Sequence, residues 1–331
     1  MERRCGVDYL LGIDGGGSKT ALLCLDRKAN VVGEAIVGTT YYLQVGVSGV
    51  IEELKKGIEQ CLPAGAEAAV CFGMPGYGDC PGEDGPVTAG IASAFPELKI
   101  RFVNDVEVGW AGALALSPGV SLVAGTGSIA YGQDASGHSA RCGGWHAFFS
   151  DEGSGYWLGR RLLQLFSMES DGRLERTALY DITKESLSLI RDEDINSYTD
   201  ERCIHSRRET AALQRLLLQA AKAGDPQAVM AYREAADQLA EIVLGAVLKL
   251  SFPEGRVTLS CSGGLSNIES FLMEPLRDRL RERLAPLAAD FKKPLLTACE
   301  GAALLAAQEF LPKDMEILRK ALLTRSNKQV L

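Results

Sequence analysis

The strongest constraint on this chain is a pattern that occurs twice: a short apolar run, a glycine-rich turn, and a second apolar run. In the first copy, residues 9–13 and 20–25 flank the sequence DGGGSKT; in the second, residues 120–124 and 129–132 flank GTGS. Short apolar runs bounded by glycine predict β-strands, so each copy predicts a hairpin. A repeat after about 110 positions indicates an internal duplication.

Alternating apolar and helical segments follow each hairpin. We predict strands at 31–37, 68–72, 100–103 and 257–260, and helices at 48–62, 87–95, 106–116, 154–166, 213–221, 226–250, 300–308 and 315–323. A mixed sheet with helices on both faces, built twice, predicts two α/β lobes with a cleft between them.

The predicted boundary between the lobes follows the restart of the pattern. We expect residues 1–117 to form the N-terminal lobe, joined by a terminal helix at 312–331, and residues 118–311 to form the C-terminal lobe. Residues 167–210 are charged and irregular, and their sequence supports no assignment.

Composition excludes several classes of protein. The 331 residues carry a net charge of −8, which argues against a nucleic-acid or anionic-membrane surface. No apolar run reaches the length of a membrane span, and residues 1–8 lack the apolar core of a signal peptide. Nine cysteines without C-x-x-C spacing and only three histidines argue against structural zinc. We therefore expect a cytoplasmic protein with free thiols.

The first glycine turn has the composition of a phosphate-binding site. Successive glycines let backbone N–H groups approach phosphate oxygens, and neighbouring hydroxyls and a lysine add donors. Asp14, at the end of the first strand, is placed to hold Mg²⁺ directly or through water. An ordinary hairpin turn with a solvated lysine is the alternative. The candidate phosphate contacts are Gly15, Gly16, Gly17, Ser18, Lys19 and Thr20.

Two common nucleotide motifs do not fit these turns. The Walker A pattern requires lysine where Ser18 stands. The second turn matches the dinucleotide pattern G-x-G-x-x-A, but that motif must open a helix, and here a strand and a turn at 134–137 follow. The second set of candidate phosphate contacts is Gly125, Thr126, Gly127 and Ser128. A third site, Gly263 and Gly264, would let a flat adenine lie against the backbone.

Several motifs in a fixed order resemble one family: DGGGSKT, the pair Asn104–Asp105, AGTGS, and GGWHAFFSDEGSGYW. The chain is similar, almost from end to end, to the N-acetylglucosamine kinase branch, with BadF-type ATPases, of the superfamily that joins actin, hexokinase and the heat-shock ATPases. The resemblance implies a duplicated ribonuclease H-like (actin-like ATPase) fold, with ATP and Mg²⁺ bound in the cleft, and a homodimer.

The resemblance also implies roles for single residues. Asp105 matches the carboxylate that accepts the proton of the sugar hydroxyl; the alternative is an N-cap for the helix that follows. Both glycine turns match phosphate contacts. The positions that match contacts to the sugar are Tyr41, Gly144, Trp145, His146, Asp151 and Glu152. The alternatives are that the two acidic residues cap the next helix and that the tryptophan packs in the core. The histidine is as readily structural as ligand-binding.

Two of these positions depart from the family. Tyr41 stands where an asparagine is usual, and His146 where a small glycine is usual. Both departures concern the sugar and not the phosphates, so N-acetylglucosamine, N-acetylmuramate and glucosamine all remain candidate substrates.

The expected function is transfer of the γ-phosphoryl group of ATP to an amino-sugar hydroxyl, by family expectation at the 6-position. One alternative is an ATPase that activates a 2-hydroxyacyl-CoA dehydratase or benzoyl-CoA reductase; the dehydratase type holds an iron–sulfur cluster between subunits through cysteines. Cys24, Cys71 and Cys261 lie inside apolar strands, which argues against it. The other alternative is a sugar sensor without catalysis. The expected ligand is a small amino sugar, with no nucleic-acid or membrane partner.

Overall fold

The structure of the protein, a computed structural model, describes residues 7–80 and 82–329. Most of the segment in which no signal peptide was expected, residues 1–8, lies outside the described residues. The chain divides into two compact units. The first consists of Met1–Pro118 together with Lys293–Leu331, and the second of Gly119–Lys292.

A five-stranded mixed sheet forms the centre of the first unit. Its strands are β1 (Tyr9–Gly15), β2 (Thr20–Asp26), β3 (Val31–Val37), β4 (Ala68–Met74) and β5 (Lys99–Asn104). The strand order is β3-β2-β1-β4-β5, with the first two pairs antiparallel and the last two parallel. Because β1, β4 and β5 run in the same direction, their carboxyl ends lie at one edge, where open α/β sheets bind ligands.

The second unit repeats this sheet. Its strands are β6 (Gly119–Ala124), β7 (Ser128–Gln133), β8 (Ser139–Gly143), β9 (Arg256–Ser262) and β10 (Ala288–Lys292). The order β8-β7-β6-β9-β10 and the strand directions match those of the first sheet, strand for strand. The predicted duplication of an α/β unit is therefore confirmed.

Twelve α-helices accompany the two sheets in the described residues. They are α1 (Tyr42–Cys61), α2 (Asp84–Ala94), α3 (Asp105–Leu114), α4 (Gly155–Ser170), α5 (Ala178–Ser186), α6 (Asp194–Tyr198), α7 (Arg207–Ala212), α8 (Gln214–Lys222), α9 (Pro226–Val247), α10 (Glu274–Leu284), α11 (Ala298–Phe310) and α12 (Met315–Gln329). Among the described helices, none combines the length and the apolar character that crossing a membrane would need.

Helix α11 packs directly on β1 and α3 of the first unit. A Cβ at Gly12 in β1 would lie 1.9 Å from the carbonyl oxygen of Cys299, so only glycine allows this approach. A Cβ at Gly301 would likewise lie 2.4 Å from the carbonyl oxygen of Val108 in α3. The structure thus assigns the chain from Lys293 onward to the first unit, whereas the sequence pattern had placed residues up to 311 in the second lobe.

The segment 167–210, which sequence reasoning left unassigned, is folded and contains helices α5, α6 and α7. Buried carboxylates fasten it to the core of the second unit. The Thr177 N–H donates to Glu169 Oε2 at 2.8 Å, and the Leu179 N–H donates to Asp225 Oδ2 at 2.8 Å. Asp225 also caps α9 by accepting the Ala228 N–H at 3.0 Å. These contacts satisfy backbone groups that would otherwise be buried without partners.

Candidate active site

The first glycine turn joins β1 to β2 as a tight hairpin. The Gly16 N–H donates to the Lys19 carbonyl at 2.9 Å, and the Thr39 hydroxyl donates to the Gly16 carbonyl at 2.8 Å. At the tip, Gly17 and Ser18 are exposed, and neither N–H has a hydrogen-bond acceptor in the described part of the chain. The turn therefore presents free backbone donors, as a phosphate site requires.

Thr20, a predicted phosphate contact, is buried instead of exposed. Its hydroxyl lies 2.8 Å from the hydroxyl of Thr40, and both residues are fully buried. This pair fastens the turn to the segment that precedes α1. The Lys19 side chain, by contrast, is exposed beside the turn.

Asp14 is a half-buried carboxyl group beside this turn. Burial raises its pKa to about 6, and the positive charge of Lys19 opposes that rise. No hydrogen-bond donor to its carboxylate lies within residues 7–80 and 82–329. A carboxylate that is desolvated and has no donor is stabilised by a cation, so this group fits the predicted metal position.

Asp105 lies at the same edge of the first sheet as Asp14. Asp14 pairs with Gly73, and Met74 pairs with Asn104, which immediately precedes Asp105. Asp105 is the first residue of α3, but it is not the cap of that helix. The structure thus places the predicted base and the predicted metal ligand at the carboxyl ends of β5 and β1, two parallel strands with β4 between them.

The segment that contains Tyr41 connects these two positions. The Tyr41 N–H donates to the Thr39 hydroxyl oxygen at 3.1 Å, and Thr39 itself bonds to the first glycine turn. A Cβ at Gly76 would lie 2.8 Å from Cε2 of Tyr41, so the ring packs closely on the strand end after β4. Asn104 donates from Nδ2 to the Tyr77 carbonyl at 2.6 Å in the same loop.

The first residues of α4 donate hydrogen bonds to the second glycine turn. The Gly155 N–H donates to the Gly125 carbonyl at 2.9 Å, and the Tyr156 N–H donates to the Thr126 carbonyl at 3.1 Å. The Gly125 N–H closes the turn by donating to the Gly127 carbonyl at 2.9 Å. The Thr126 and Gly127 N–H groups have no acceptor among the described residues. These two groups are therefore the available backbone donors of this turn.

Asp151 supports that turn from inside the unit. Its side chain is buried, Oδ1 accepts the Ser128 N–H at 3.2 Å, and Oδ2 pairs with Arg207. Burial raises the pKa of Asp151, although the adjacent guanidinium lowers it. Ser154, and not Asp151, caps α4 by accepting the Trp157 N–H at 3.2 Å. The capping alternative for Asp151 is therefore not found.

The remaining donor of Ser128 is also used inside the protein. Its hydroxyl donates to the Glu152 carbonyl at 2.7 Å, while the Glu152 carboxylate accepts the Ser150 hydroxyl at 3.1 Å. Ser128 thus connects the turn to the acidic pair, and both of its donors already have acceptors in this structure. The sequence predicted Ser128 as a phosphate contact from its residue type alone, which does not show that its donors are already used.

The third glycine site lies against the second. Gly263 has φ +92°, and a Cβ there would lie 2.4 Å from the Ala124 carbonyl oxygen. A Cβ at Gly125 would lie 4.0 Å from the Gly263 Cα. Nothing lies within 4 Å of a Cβ at Gly264. The structure therefore brings together two turns that are separated by well over a hundred residues in the sequence.

Of the predicted sugar contacts, Trp145 and His146 are exposed, whereas Asp151 is buried. Gly144 has φ +66° and its N–H donates to the Ser128 carbonyl at 3.0 Å, which attaches the segment that contains Trp145 to β7. Trp145 is 71% exposed, and this excludes the alternative that it packs in the core. The His146 ring stacks on Phe149 with centroids 6.1 Å apart, and both residues are exposed.

Sequence reasoning missed Arg207, which lies in the segment it left unassigned. No local pattern indicates this residue, because its contact with Asp151 spans 56 positions and forms only in the folded chain. It also missed Thr39 and Thr40, although hydroxyl residues directly after a third strand are a detectable signal for a polar edge.

This chain resembles known proteins both in sequence and in three-dimensional structure. It is 31% identical over 281 residues to the N-acetylmuramic acid/N-acetylglucosamine kinase of Clostridium acetobutylicum, covering 82% of this chain and 90% of that protein. It is 27% identical over 317 residues to the N-acetyl-D-glucosamine kinase of Dictyostelium discoideum, covering 90% and 98%. Among solved structures, that of a proposed N-acetylglucosamine kinase from Chromobacterium violaceum superposes with a TM-score of 0.69 at 25% identity, covering 91% and 99%.

The sequence model of one family matches residues 11–306, which is most of the chain. The match includes both glycine turns, Asp105 and the segment around Asp151. It confirms the resemblance inferred from the motifs and, with the solved structure, the predicted fold class. The chain belongs to the BadF/BadG/BcrA/BcrD ATPase family.

Proposed function

We propose that this protein is an ATP-dependent kinase that transfers the γ-phosphoryl group of ATP to a hydroxyl of an amino sugar. The position of Asp105 carries the proposal. It lies at the carboxyl edge of the first sheet, separated by one strand from the strand that leads into the first glycine turn, and Asn104 caps the helix in its place. The names of the two curated relatives, both amino-sugar kinases, support the same reaction.

Each glycine turn, taken within its own unit, offers exposed backbone donors that would bind phosphate oxygens of ATP. In the first unit these are the N–H groups of Gly17 and Ser18, with Lys19 as a nearby positive charge. In the second unit they are the N–H groups of Thr126 and Gly127. The adenine would lie against Gly264 and against Gly263, which packs on the second turn.

Asp14 would hold Mg²⁺ in this proposal. The arrangement fits, because its carboxylate is half-buried without a hydrogen-bond donor and a cation would offset that cost. Magnesium in phosphate sites is commonly bound by one or two carboxylates together with phosphate oxygens and water. The ion would neutralise charge on the β- and γ-phosphates.

Asp105 would act as the general base. Its carboxylate accepts the proton of the sugar hydroxyl as that oxygen forms a bond to the γ-phosphorus, and the bond from the γ-phosphorus to the bridging oxygen of ADP breaks. Phosphoryl transfer needs little covalent help from the protein, so catalysis consists of alignment, charge neutralisation and exclusion of water.

The sugar would bind to the exposed segment that begins at Gly144. The indole of Trp145 is accessible to stack on a sugar face, and His146 and Glu152 would add polar contacts. The candidate substrates are N-acetylglucosamine, N-acetylmuramate and glucosamine, with phosphorylation at the 6-position. We also propose a cytoplasmic location and a homodimer. Light scattering of the purified protein tests the homodimer, and cell fractionation tests the location.

The decisive experiment is a coupled ADP-release assay with ATP, Mg²⁺ and each of these amino sugars, with glucose as the non-amino control. Mass spectrometry and two-dimensional NMR of the product then identify the phosphorylated position. We expect rapid, sugar-dependent ADP release and one phosphosugar. Binding of a sugar without ADP release would refute the kinase and support a sensor.

The second candidate is an ATPase that activates another enzyme through an iron–sulfur cluster. It needs thiols that can reach a second subunit, but Cys24 and Cys71 are fully buried and Cys261 is half-buried. Burial raises the pKa of all three thiols. ATP hydrolysis that is independent of sugar, together with iron–sulfur absorbance of protein purified without oxygen, would favour this candidate over the kinase.

A further inference from the structure

The guanidinium of Arg207 lies against the second glycine turn. A Cβ at Gly127 would lie 2.9 Å from Nη2 of Arg207 and 2.6 Å from Oδ1 of Asp151. The two charged groups therefore border the turn on the side where a residue other than glycine would project a side chain. Arg207 is the first residue of α7, a helix in the segment that sequence reasoning did not assign.

A single buried carboxylate holds both the turn and the arginine. Asp151 Oδ1 accepts the Ser128 N–H at 3.2 Å, while Oδ2 pairs with Arg207. Its side chain is only 3% exposed, and its backbone has φ +65°, a conformation that residues other than glycine rarely adopt. An aspartate held in this way fixes the distance between the guanidinium and the turn.

The remainder of the guanidinium is available to a ligand. The Arg207 side chain is 52% exposed, and its contact with Asp151 uses one of its nitrogens. A guanidinium has five N–H donors in a planar fork that suits phosphate oxygens. The pair with Asp151 is neutral overall, so it attracts a polyanion only by presenting the guanidinium outward, which is how this pair is arranged.

We propose that Arg207 binds phosphate oxygens of the nucleotide and that Asp151 is the residue that positions it. The inference rests on the proposed function in so far as the second turn binds the nucleotide. Arg207 then supplies the positive charge that the second turn itself lacks, since the residues Gly125, Thr126, Gly127 and Ser128 are all uncharged. The contact is a charge-assisted hydrogen bond and involves no covalent step.

The test compares Arg207→Gln with Arg208→Gln, a neighbouring exposed arginine that makes no contact with the turn among the described residues. The probe is ADP, measured by calorimetry at low and high salt. Loss of a charged hydrogen bond corresponds to roughly 10- to 100-fold weaker binding. We expect that loss for Arg207→Gln, a reduced salt dependence, and no change for Arg208→Gln. Arg207→Lys, which keeps the charge but loses the fork, should fall between.

Two further measurements distinguish a role in binding from a structural one. In a double-mutant cycle, Asp151→Asn and Arg207→Gln should be non-additive for ADP affinity, because the first acts through the second. Thermal unfolding should show that Arg207→Gln keeps the native transition; if it does not fold, Arg207→Lys carries the ADP comparison. ADP affinity equal to that of the wild type in the folded variant would overturn the proposal. So would a defect confined to sugar binding.

The outcome also separates this proposal from the proposed function. If the wild-type protein binds ADP in an Arg207-dependent way but phosphorylates no amino sugar, the inference holds and the kinase assignment fails. If the protein phosphorylates an amino sugar and Arg207→Gln leaves both ADP affinity and the KM for ATP unchanged, the kinase assignment holds and the inference fails.

Discussion

The side chain of Asn104 accepts a hydrogen bond from the N–H of Val106 at 3.1 Å, so the residue before Asp105 caps helix α3. Removing the charge of Asp105 therefore does not remove a helix cap. We expect Asp105→Asn to reduce kcat by roughly two or more orders of magnitude, the scale of a lost general base, and to leave ADP affinity nearly unchanged.

The matched control for that substitution is Glu97→Gln, which removes an exposed carboxylate from the same unit. Its kcat should equal that of the wild type. Steady-state kinetics with saturating ATP and amino sugar measures both variants, and calorimetry with ADP measures the nucleotide site. A kcat for Asp105→Asn within a few-fold of the wild type would mean that another group accepts the proton.

Much of the fold was predictable because apolar runs and glycine turns are local signals. The strands β1, β2, β6 and β7 follow from short apolar segments on either side of a glycine turn. Strands β8 and β10 were not predicted, because their sequences SARCG and AADFK are only five residues long and contain few large apolar side chains. Helix α10 had a usable signal, since its buried leucines at 276, 280 and 284 are spaced four apart, although charged residues surround them.

The candidate site was predictable only as a list of positions. Residue types identified the glycine turns and Asp105, since phosphate contacts and a base have few chemical options. The partners of those residues were not predictable: the hydroxyl pair of Thr20 and Thr40, and the pairing of Asp151 with Arg207, depend on tertiary packing. For the same reason the placement of α11 was missed, because it depends on close backbone approach at Gly12 and Gly301.

The half-buried carboxyl of Asp14 predicts a specific pH dependence of stability. Its pKa is about 6 in the folded protein and 3.8 in an exposed reference state, so the folded state binds the proton more tightly. Its contribution is therefore most favourable below pH 4 and is lost as the pH rises towards 6. The total is on the order of 3 kcal/mol.

Asp14→Asn should remove the loss of stability that accompanies ionisation of Asp14. Relative to the wild type, the variant should gain free energy of unfolding between pH 4 and 6 and keep the gain at higher pH. Urea denaturation from pH 4 to 8 in the presence of EDTA measures the difference. Addition of Mg²⁺ and ADP at pH 7.5 should stabilise the wild type more than the variant. A pH-independent difference would contradict the assigned environment of Asp14.

Alanine substitutions at the two adjacent glycines of the third site distinguish an effect on stability from an effect on nucleotide binding. Alanine at Gly263 would combine φ +92° with a Cβ 2.4 Å from the Ala124 carbonyl oxygen. Backbone strain of this kind costs about 1–3 kcal/mol, so Gly263→Ala should lower both stability and ADP affinity. Alanine at Gly264 meets no atom within 4 Å, so stability should be unchanged.

For the same reason, Gly264→Ala isolates the adenine contact. Its Cβ would project into the space where the base is proposed to lie, so ADP should bind more weakly although the protein is as stable as the wild type. Thermal unfolding and ADP calorimetry on both variants provide the comparison. Unchanged ADP affinity in Gly264→Ala would remove the adenine from this site.

The exposure of Trp145 predicts that the indole binds substrate and does not stabilise the fold. Trp145 is 71% exposed and nearby Phe148 is 80% exposed, so replacing either side chain should leave the unfolding temperature nearly unchanged. Aromatic stacking contributes about 0.5–1.5 kcal/mol, so Trp145→Ala should raise the KM for the amino sugar roughly 2- to 10-fold. The kcat and the KM for ATP should not change, because the indole would contact a part of the sugar that does not react.

Phe148→Ala is the matched control and should keep the wild-type KM. Equal KM values for both variants would show that the sugar does not stack on Trp145.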